Sequence, residues 1–196
     1  MSESTTQSAE RTTLVYDDDG LGRPPWAMSS PLLKEYYDTE WGLPIFEEAA
    51  LYERLSLESF QSGLSWAVVL KKREAFRAAF RNFDPDKVAE FDEADVERLL
   101  GDASIIRNET KIRAAINNAK ATIALREEGG LAEFIWAYQP PENLYPTVME
   151  DIPKKSYESK LMSRELKKKG FRFVGPVTCF ALMAVSYTHL TLPTKA

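Results

Sequence analysis

Apolar residues recur every three or four positions along most of the chain, which is the period of an amphipathic α-helix. A capping residue followed by proline marks helix starts at Ser30-Pro31 and Asp84-Pro85, and Asn108 is placed to cap a longer helix. No segment alternates regularly enough to predict a strand. The pattern therefore predicts an all-α fold, a compact bundle of about eight helices. The main helical segments are residues 31–41, 51–62, 65–81, 92–100, 108–128, 131–138, 157–169 and 177–187, with a short turn of helix from residue 85.

One folded domain is predicted between two terminal segments of different composition. Residues 1–21 are polar and rich in serine and threonine, so we expect a flexible tail there. The domain is expected over residues 22–185, with an extended proline-rich connector at residues 140–153. Residues 186–196 (SYTHLTLPTKA) break the helical pattern and resemble translated sequencing-adapter read-through, so we interpret them as a non-native tail.

The segment LYERLSLESFQSGLSW places a carboxylate on a helix face that should point inward. The inward row consists of Leu51, Leu55, Glu58 and Ser62. A buried carboxylate without a partner costs several kcal/mol, so Glu58 is a candidate functional residue. A structural role, in which Glu58 caps a loop or pairs with an arginine, is the open alternative.

Aromatic residues are dense around this helix. The rings are Trp26, Tyr36, Tyr37 and Trp41, followed by Trp66 just after the glycine that ends the Glu58 helix. Ordinary core packing accounts for such a cluster. Rings that converge on a carboxylate would instead form a stacking pocket for a planar ligand, and the sequence leaves both interpretations open.

A basic segment with a glycine-bounded turn lies near the end of the predicted domain. Residues 160–172 carry six basic side chains and one acid, Glu165. The turn GFRFVG, residues 170–175, joins two predicted helices, and backbone N–H groups at such a turn hold phosphate well. This arrangement is typical of a DNA-binding element, although a solvated basic helix that ends at a glycine has the same pattern.

Composition excludes several other classes of function. A single cysteine, Cys179, excludes an internal disulfide framework and fits a reducing cytosol, so a cytoplasmic protein is expected. The single histidine, His189, lies in the interpreted non-native tail, which argues against histidine-based acid–base catalysis. Zinc-binding, phosphate-loop, dinucleotide and serine-elbow motifs are absent, and no apolar run reaches the length of a membrane span. The net charge of -5 argues against uniform attraction to nucleic acid, but a local basic patch overrides a mild global charge.

Motifs in order across residues 22–185 resemble the DNA-3-methyladenine glycosylase I family of the helix-hairpin-helix superfamily. They are DTEWG (38–42), GLSW (63–66), LKKREAF (70–76), IIRN (105–108), INNA (116–119) and LKKKGFRFVG (166–175). The resemblance implies an all-α enzyme with a helix-hairpin-helix DNA-binding element. It would flip 3-methyladenine out of alkylated double-stranded DNA and release it by hydrolysis, as a monomer without a cofactor.

The resemblance also implies roles for individual residues. Glu58 takes the position of the base-recognising glutamate and is the candidate catalytic residue. The aromatic base-binding positions are Trp26, Tyr36, Trp41 and Trp66, and the DNA-binding positions are Gly63, Leu64, Lys168, Gly170, Phe173 and Gly175. Val177 stands where strand-cleaving members of the superfamily carry a lysine, so the resemblance implies a monofunctional enzyme without lyase activity. An N3-methylated adenine is cationic and already a good leaving group, so the reaction needs extrusion, stacking and charge recognition more than a strong nucleophile.

The sequence departs from the family pattern at two places. Many members bind zinc, but the two N-terminal ligand positions are Pro24 and Tyr37 here, so a zinc-free variant is expected. Leu33 stands where an additional tyrosine often lies.

Three alternatives remain open at the level of the sequence. They are a helix-hairpin-helix glycosylase for another damaged base, a DNA-binding relative without catalysis, and a helical scaffold that binds a partner protein. The scaffold hypothesis predicts that Glu58 is exposed or salt-bridged and that the four rings do not converge.

Overall fold

The computed structural model describes residues 14–141 and 152–186, and these residues confirm the predicted all-α class. Within them lie ten α-helices and one small antiparallel hairpin. The elements are β1 (Val15–Tyr16), β2 (Gly22–Arg23), α1 (Pro31–Thr39), α2 (Glu48–Gln61), α3 (Trp66–Lys71), α4 (Arg73–Ala79), α5 (Pro85–Ala89), α6 (Glu93–Gly101), α7 (Glu109–Leu125), α8 (Gly130–Trp136), α9 (Tyr157–Lys168) and α10 (Pro176–Ser186). None of these helices is long and apolar enough to cross a membrane.

Helix α2 is the centre of the bundle and packs against α3, α7, α8 and α10. All ten residues from 51 to 60 are buried, so the helix contacts protein on every side. The predicted inward positions Leu51, Leu55 and Glu58 are correct. The fourth is wrong, because α2 ends at Gln61 and Ser62 is exposed in the turn that follows.

The helix predicted over residues 65–81 is two helices, α3 and α4, that meet at Lys72. Lys72 lies between the two helices with φ −98° and ψ 0°, and its side-chain ammonium donates to the carbonyls of Ala103 (3.1 Å) and Ser104 (2.8 Å). This long-range contact is invisible to a periodicity argument, because the apolar spacing continues unbroken across the bend.

The β1–β2 hairpin is a further difference from the sequence-based expectation, which contained no strand. Buried Arg23 forms ion pairs with Asp19 (2.7 Å) and Asp38 (2.8 Å), which tie the hairpin to α1. Regular structure therefore begins before residue 22, where the domain was predicted to start. The remainder of the predicted N-terminal tail, most of the connector and residues 187–196 lie outside the described residues.

Lys111 joins α7 to the end of α2. Asn108 caps α7 as predicted, by accepting from the Lys111 backbone N–H (3.1 Å). The Lys111 side chain is buried, and its ammonium donates to the carbonyls of Phe60 (2.9 Å) and Ser62 (2.6 Å). It thereby satisfies two carbonyls that a helix end leaves without intrahelical partners.

We expect Lys111→Met to lower the free energy of unfolding by about 2 kcal/mol, because the buried Phe60 carbonyl and the partly buried Ser62 contact lose a charged donor. Urea denaturation measures this loss. Lys120→Met is the matched control, because Lys120 is exposed on the same helix and its removal should change stability by no more than about 0.5 kcal/mol. Equal stability of the two variants would contradict the proposed anchoring of α2.

Candidate active site

A cavity of about 280 Å³ opens where the C-terminal half of α2 faces α1, α3 and α10. The four aromatic residues proposed from the sequence and Glu58 all contribute to its wall. The lining residues are Trp26, Tyr36, Trp41, Glu58, Gln61, Trp66, Ile152, Phe180, Ala181, Ala184 and Val185. The structure therefore brings the rings and the carboxylate together, contrary to the expectation of the protein-binding scaffold hypothesis.

The ends of α1 place the rings. Ser30 caps the helix by accepting from the Leu33 backbone N–H (3.3 Å), with Pro31 in the first turn as predicted. At the other end, the backbone N–H of Trp41 donates to the Tyr36 carbonyl (2.9 Å), which folds the Trp41 ring back toward the helix. The ring centroids of Trp26 and Trp41 lie 6.2 Å apart at 60°.

Trp66 forms the opposite side of the cavity at the start of α3. Its ring centroid lies 5.4 Å from that of Tyr36, with the planes tilted by 45°. The Tyr36 hydroxyl and the Trp66 indole N–H are both buried, and neither has a hydrogen-bond partner among residues 14–141 and 152–186. Both residues belong to the cavity wall, where these two groups are available to hydrogen-bond a polar ligand.

Glu58 is the most unusual group in the cavity. Only 5% of its surface is exposed, and its carboxyl makes no hydrogen bond within the described part of the chain. Burial raises the pKa of Glu58 to about 8, opposed only by the positive charge of Arg54 one turn earlier on α2. The carboxyl therefore favours its protonated, neutral form in the empty cavity. A positive charge or a hydrogen-bond donor that enters the cavity favours its ionised form.

Sequence reasoning did not identify the remaining lining residues. Gln61 lies one turn after Glu58 on α2, so helical spacing alone could have found it. The α10 side chains Phe180 and Ala184 gave no such signal, because α10 is apolar on all sides and its period identifies no ligand face.

The turn after α2 carries two of the predicted DNA-contacting residues. Gly63 has a left-handed φ of +84°, which requires glycine, and the Leu64 side chain is 41% exposed. The Gln61 amide donates to the Leu64 carbonyl (3.1 Å), while the Leu64 N–H donates to the Gln61 carbonyl (2.7 Å). The cavity and the exposed turn therefore share a residue.

Residues 169–175 form the hairpin between α9 and α10, and they carry the predicted positions Gly170, Phe173 and Gly175. Gly170 has a φ of +87°, and Phe173 also adopts a left-handed φ of +56° with its ring 39% exposed. Lys168, the predicted position at the end of α9, is exposed and pairs with Glu165 (2.9 Å).

Hydrogen bonds from α2 and α7 fix the hairpin in place. The Ser59 hydroxyl donates to the Phe173 carbonyl (3.2 Å), and the Asn118 amide donates to the Arg172 carbonyl (2.9 Å). In return, the Arg172 backbone N–H donates to the Asn118 side-chain oxygen (2.8 Å). Because Ser59 adjoins Glu58, one helix positions both the cavity carboxyl and the hairpin.

The residues at the expected zinc positions do not fit a metal. Pro24 has no donor atom in its side chain. The Tyr37 ring packs against Trp26 and Trp41, at a centroid distance of 5.5 Å from each. No group of three His, Cys, Asp or Glu side chains within the described ranges could hold a metal ion.

Comparison with known proteins identifies one family across most of the chain. The profile of the family described as Methyladenine glycosylase matches residues 26–187. The chain is 44% identical over 166 residues to DNA-3-methyladenine glycosylase 1 of Escherichia coli (strain K12), across 83% of this chain and 89% of that protein. It is 40% identical over 165 residues to DNA-3-methyladenine glycosylase of Haemophilus influenzae, across 82% of this chain and 89% of that protein.

A solved structure agrees with the sequence relatives. It is 3-methyladenine DNA glycosylase I from Staphylococcus aureus, solved to explain how that protein recognises 3-methyladenine. The two chains superpose with a TM-score of 0.80 at 34% identity, covering 86% of this chain and 93% of the other. The resemblance stated from sequence motifs is thus confirmed, and the chain belongs to the methyladenine glycosylase family.

Proposed function

We propose that this protein is a monofunctional DNA glycosylase that releases 3-methyladenine from alkylated double-stranded DNA in base excision repair. One observation carries the proposal: an unpaired, buried carboxyl at Glu58 lies in the wall of a ring-lined cavity that opens to solvent. Family membership supplies the substrate class, because the relatives are named for 3-methyladenine.

Charge is the feature by which the cavity would select a methylated base. N3-methylation makes adenine cationic, and a cation held against an aromatic face gains about 0.5–2 kcal/mol, which neutral adenine does not gain. An ionised Glu58 adds Coulomb attraction and accepts a hydrogen bond from an amino group of the base. The walls formed by Trp66 and Tyr36 hold the flat ring in place.

Hydrolysis then needs little further chemistry from the protein. The C1′–N bond of the nucleotide breaks, the departing base leaves as neutral 3-methyladenine, and a water oxygen bonds to C1′ while its proton passes to solvent. Glu58 contributes by binding the base, and its negative charge stabilises positive charge on the sugar as the bond breaks. Val177, at the first turn of α10, has no amine to form a covalent sugar adduct, which supports a monofunctional reaction.

The surface around the hairpin is suited to the DNA backbone. Six basic residues on α9 and the hairpin are exposed, and they are Lys160, Arg164, Lys167, Lys168, Lys169 and Arg172. The N-terminus of α10 follows directly, where backbone N–H groups attract phosphate. We place Leu64 at the position left by the extruded base, because it is exposed in the turn that directly follows Gln61 of the cavity wall. Because its named relatives are bacterial, we propose that the protein acts in the cytoplasm, as a monomer.

Glu58→Gln should lower the rate of 3-methyladenine release from methylated duplex DNA by about tenfold to a hundredfold, because a charged hydrogen bond is replaced by a neutral one. Chromatography of the released base measures the rate. Glu53→Gln is the matched control, because Glu53 is on the same helix but pairs with Arg77 outside the cavity. Equal rates for wild type and Glu58→Gln would exclude the proposed role.

Glu58→Gln should also change how stability depends on pH. The folded protein binds the Glu58 proton more tightly than the unfolded chain, since burial raises the pKa from 4.5 to about 8. The proton's contribution to folding is complete below the unfolded pKa and is lost as the pH rises through the folded pKa. We therefore expect Glu58→Gln to gain stability over wild type by up to about 1.4 kcal/mol per pH unit between about pH 5 and 8. A stability difference independent of pH would contradict the buried, unpaired carboxyl.

Gly175→Ala should weaken DNA binding several-fold without changing the fold. A Cβ at Gly175 meets no atom within 4 Å, and the residue has no left-handed φ, so the protein itself does not require glycine there. Close approach of a DNA backbone would require glycine at this position. Gly101→Ala, equally uncrowded but on α6, is the control, and fluorescence anisotropy with duplex DNA is the measurement. Unchanged affinity of Gly175→Ala would remove this glycine from the interface.

A further inference from the structure

A partly buried charge cluster formed by Glu40, Arg54 and Arg73 lies behind the Tyr36 wall of the cavity. The Glu40 carboxylate accepts from Arg73 at 2.6 and 2.8 Å and from Arg54 through a second guanidinium. Hydrogen bonds from Arg73 and the charge of both arginines keep the pKa of Glu40 below its usual range, against the effect of partial burial. Glu40 is therefore ionised at neutral pH.

The charges of this cluster do not cancel. Two guanidinium groups share one carboxylate, which leaves one positive charge in excess. Arg54 is the more buried of the two arginines: its side chain is only 8% exposed, against 14% for Arg73, and one of its terminal nitrogens, Nη1, is buried without a partner among the described residues. An uncompensated buried cation is costly, so a nearby group that can become negative is favoured in its ionised form.

Glu58 is that group. It lies four residues after Arg54 on α2, so the two side chains project from the same helix face. Arg54 also lies over the Tyr36 ring, with its guanidinium carbon 5.3 Å from the ring centroid. Arg54 thus contacts one wall of the cavity. Its positive charge opposes the rise in the pKa of Glu58 that burial causes.

We propose, on the basis of the function proposed above, that Arg54 is a positioning residue that keeps Glu58 able to ionise near neutral pH, and that Glu40 sets how much positive charge Arg54 presents. Neither Arg54 nor Glu40 lines the cavity, so both would act through Glu58 and not by contact with the base. Their charges would keep a carboxyl that is buried among rings from remaining permanently protonated.

Other charged or titratable groups near Glu58 do not supply this effect. From α1, Tyr36 faces the cavity, and burial raises the pKa of its hydroxyl so that it stays neutral. The α10 residues of the wall are Phe180, Ala181, Ala184 and Val185, and α3 and the preceding segments contribute Trp66, Trp26 and Trp41, none of which ionises. Within the described residues, Arg54 is the charge that acts on Glu58.

The cluster predicts pKa changes of opposite sign for two charge-removing substitutions. Arg54→Gln removes the excess cation, so the pKa of Glu58 should rise by about 1 or more. Glu40→Gln removes the shared anion and increases the positive excess, so the pKa of Glu58 should fall. Arg77→Gln is the matched control, because Arg77 also forms an ion pair with an α2 glutamate, Glu53 (2.8 Å), outside the cavity, and it should leave the pKa of Glu58 unchanged.

Carbon-13 NMR titration of the Glu58 carboxyl measures these pKa changes without DNA. The pH profile of kcat/KM for base release provides a second readout, because it reports groups of the free enzyme. In Arg54→Gln the midpoint of this profile should move to higher pH. At a fixed pH below the midpoint, kcat/KM should fall about tenfold for each pH unit that the midpoint moves, and it should recover at alkaline pH. A purely structural defect would lower the rate at every pH.

The outcomes separate this inference from the proposed function. Opposite pKa changes in Arg54→Gln and Glu40→Gln support the inference, and an unchanged Glu58 pKa in both overturns it even if base release is normal. Should Arg54→Gln fail to fold, the direction of the pKa change in Glu40→Gln decides alone. Absence of base release by a folded wild-type protein at every pH would overturn the proposed function, whatever the titrations give.

Discussion

The burial of one carboxyl at the centre of the molecule is the constraint on which the site depends. Glu58 projects from a buried helix and only 5% of its surface is exposed, so little water reaches its carboxyl to stabilise a negative charge. Burial holds the proton on this group, and only a compensating positive charge releases it. A cationic base supplies that charge when it enters the cavity. The burial that keeps Glu58 protonated therefore also makes the site selective for a cationic base.

Helix α2 connects the main parts of the proposed site. Helix α2 carries Glu58 in the cavity, Ser59 against the hairpin and Gln61 against the exposed turn. Lys111 fixes the end of the same helix from α7. A base extruded beside Leu64 would therefore reach the Glu58 carboxyl. Helix α2 sets the distance between this carboxyl and the turn that faces the DNA.

The sequence was sufficient for the fold class, for most helix positions, and for Glu58 and the four aromatic residues of the cavity wall, because each depends on local spacing or on a specific motif. Glu58 and Trp66 belong to such patterns. The break at Lys72, the β1–β2 hairpin and the cluster of Glu40, Arg54 and Arg73 were not predicted. Each involves contacts between residues that are not neighbours on one helix, which helical periodicity does not encode. The α10 wall was missed because a helix that is apolar all round shows no preferred face.

The most direct measurement of the central claim is the titration of the Glu58 carboxyl in the unmodified protein, free and bound to a stable cationic analogue of the N3-methylated nucleoside. We predict a pKa near 8 in the free protein, from burial, and a clear fall when the cation binds. A pKa near 4.5 in the free protein, or one that the cation leaves unchanged, would contradict this claim.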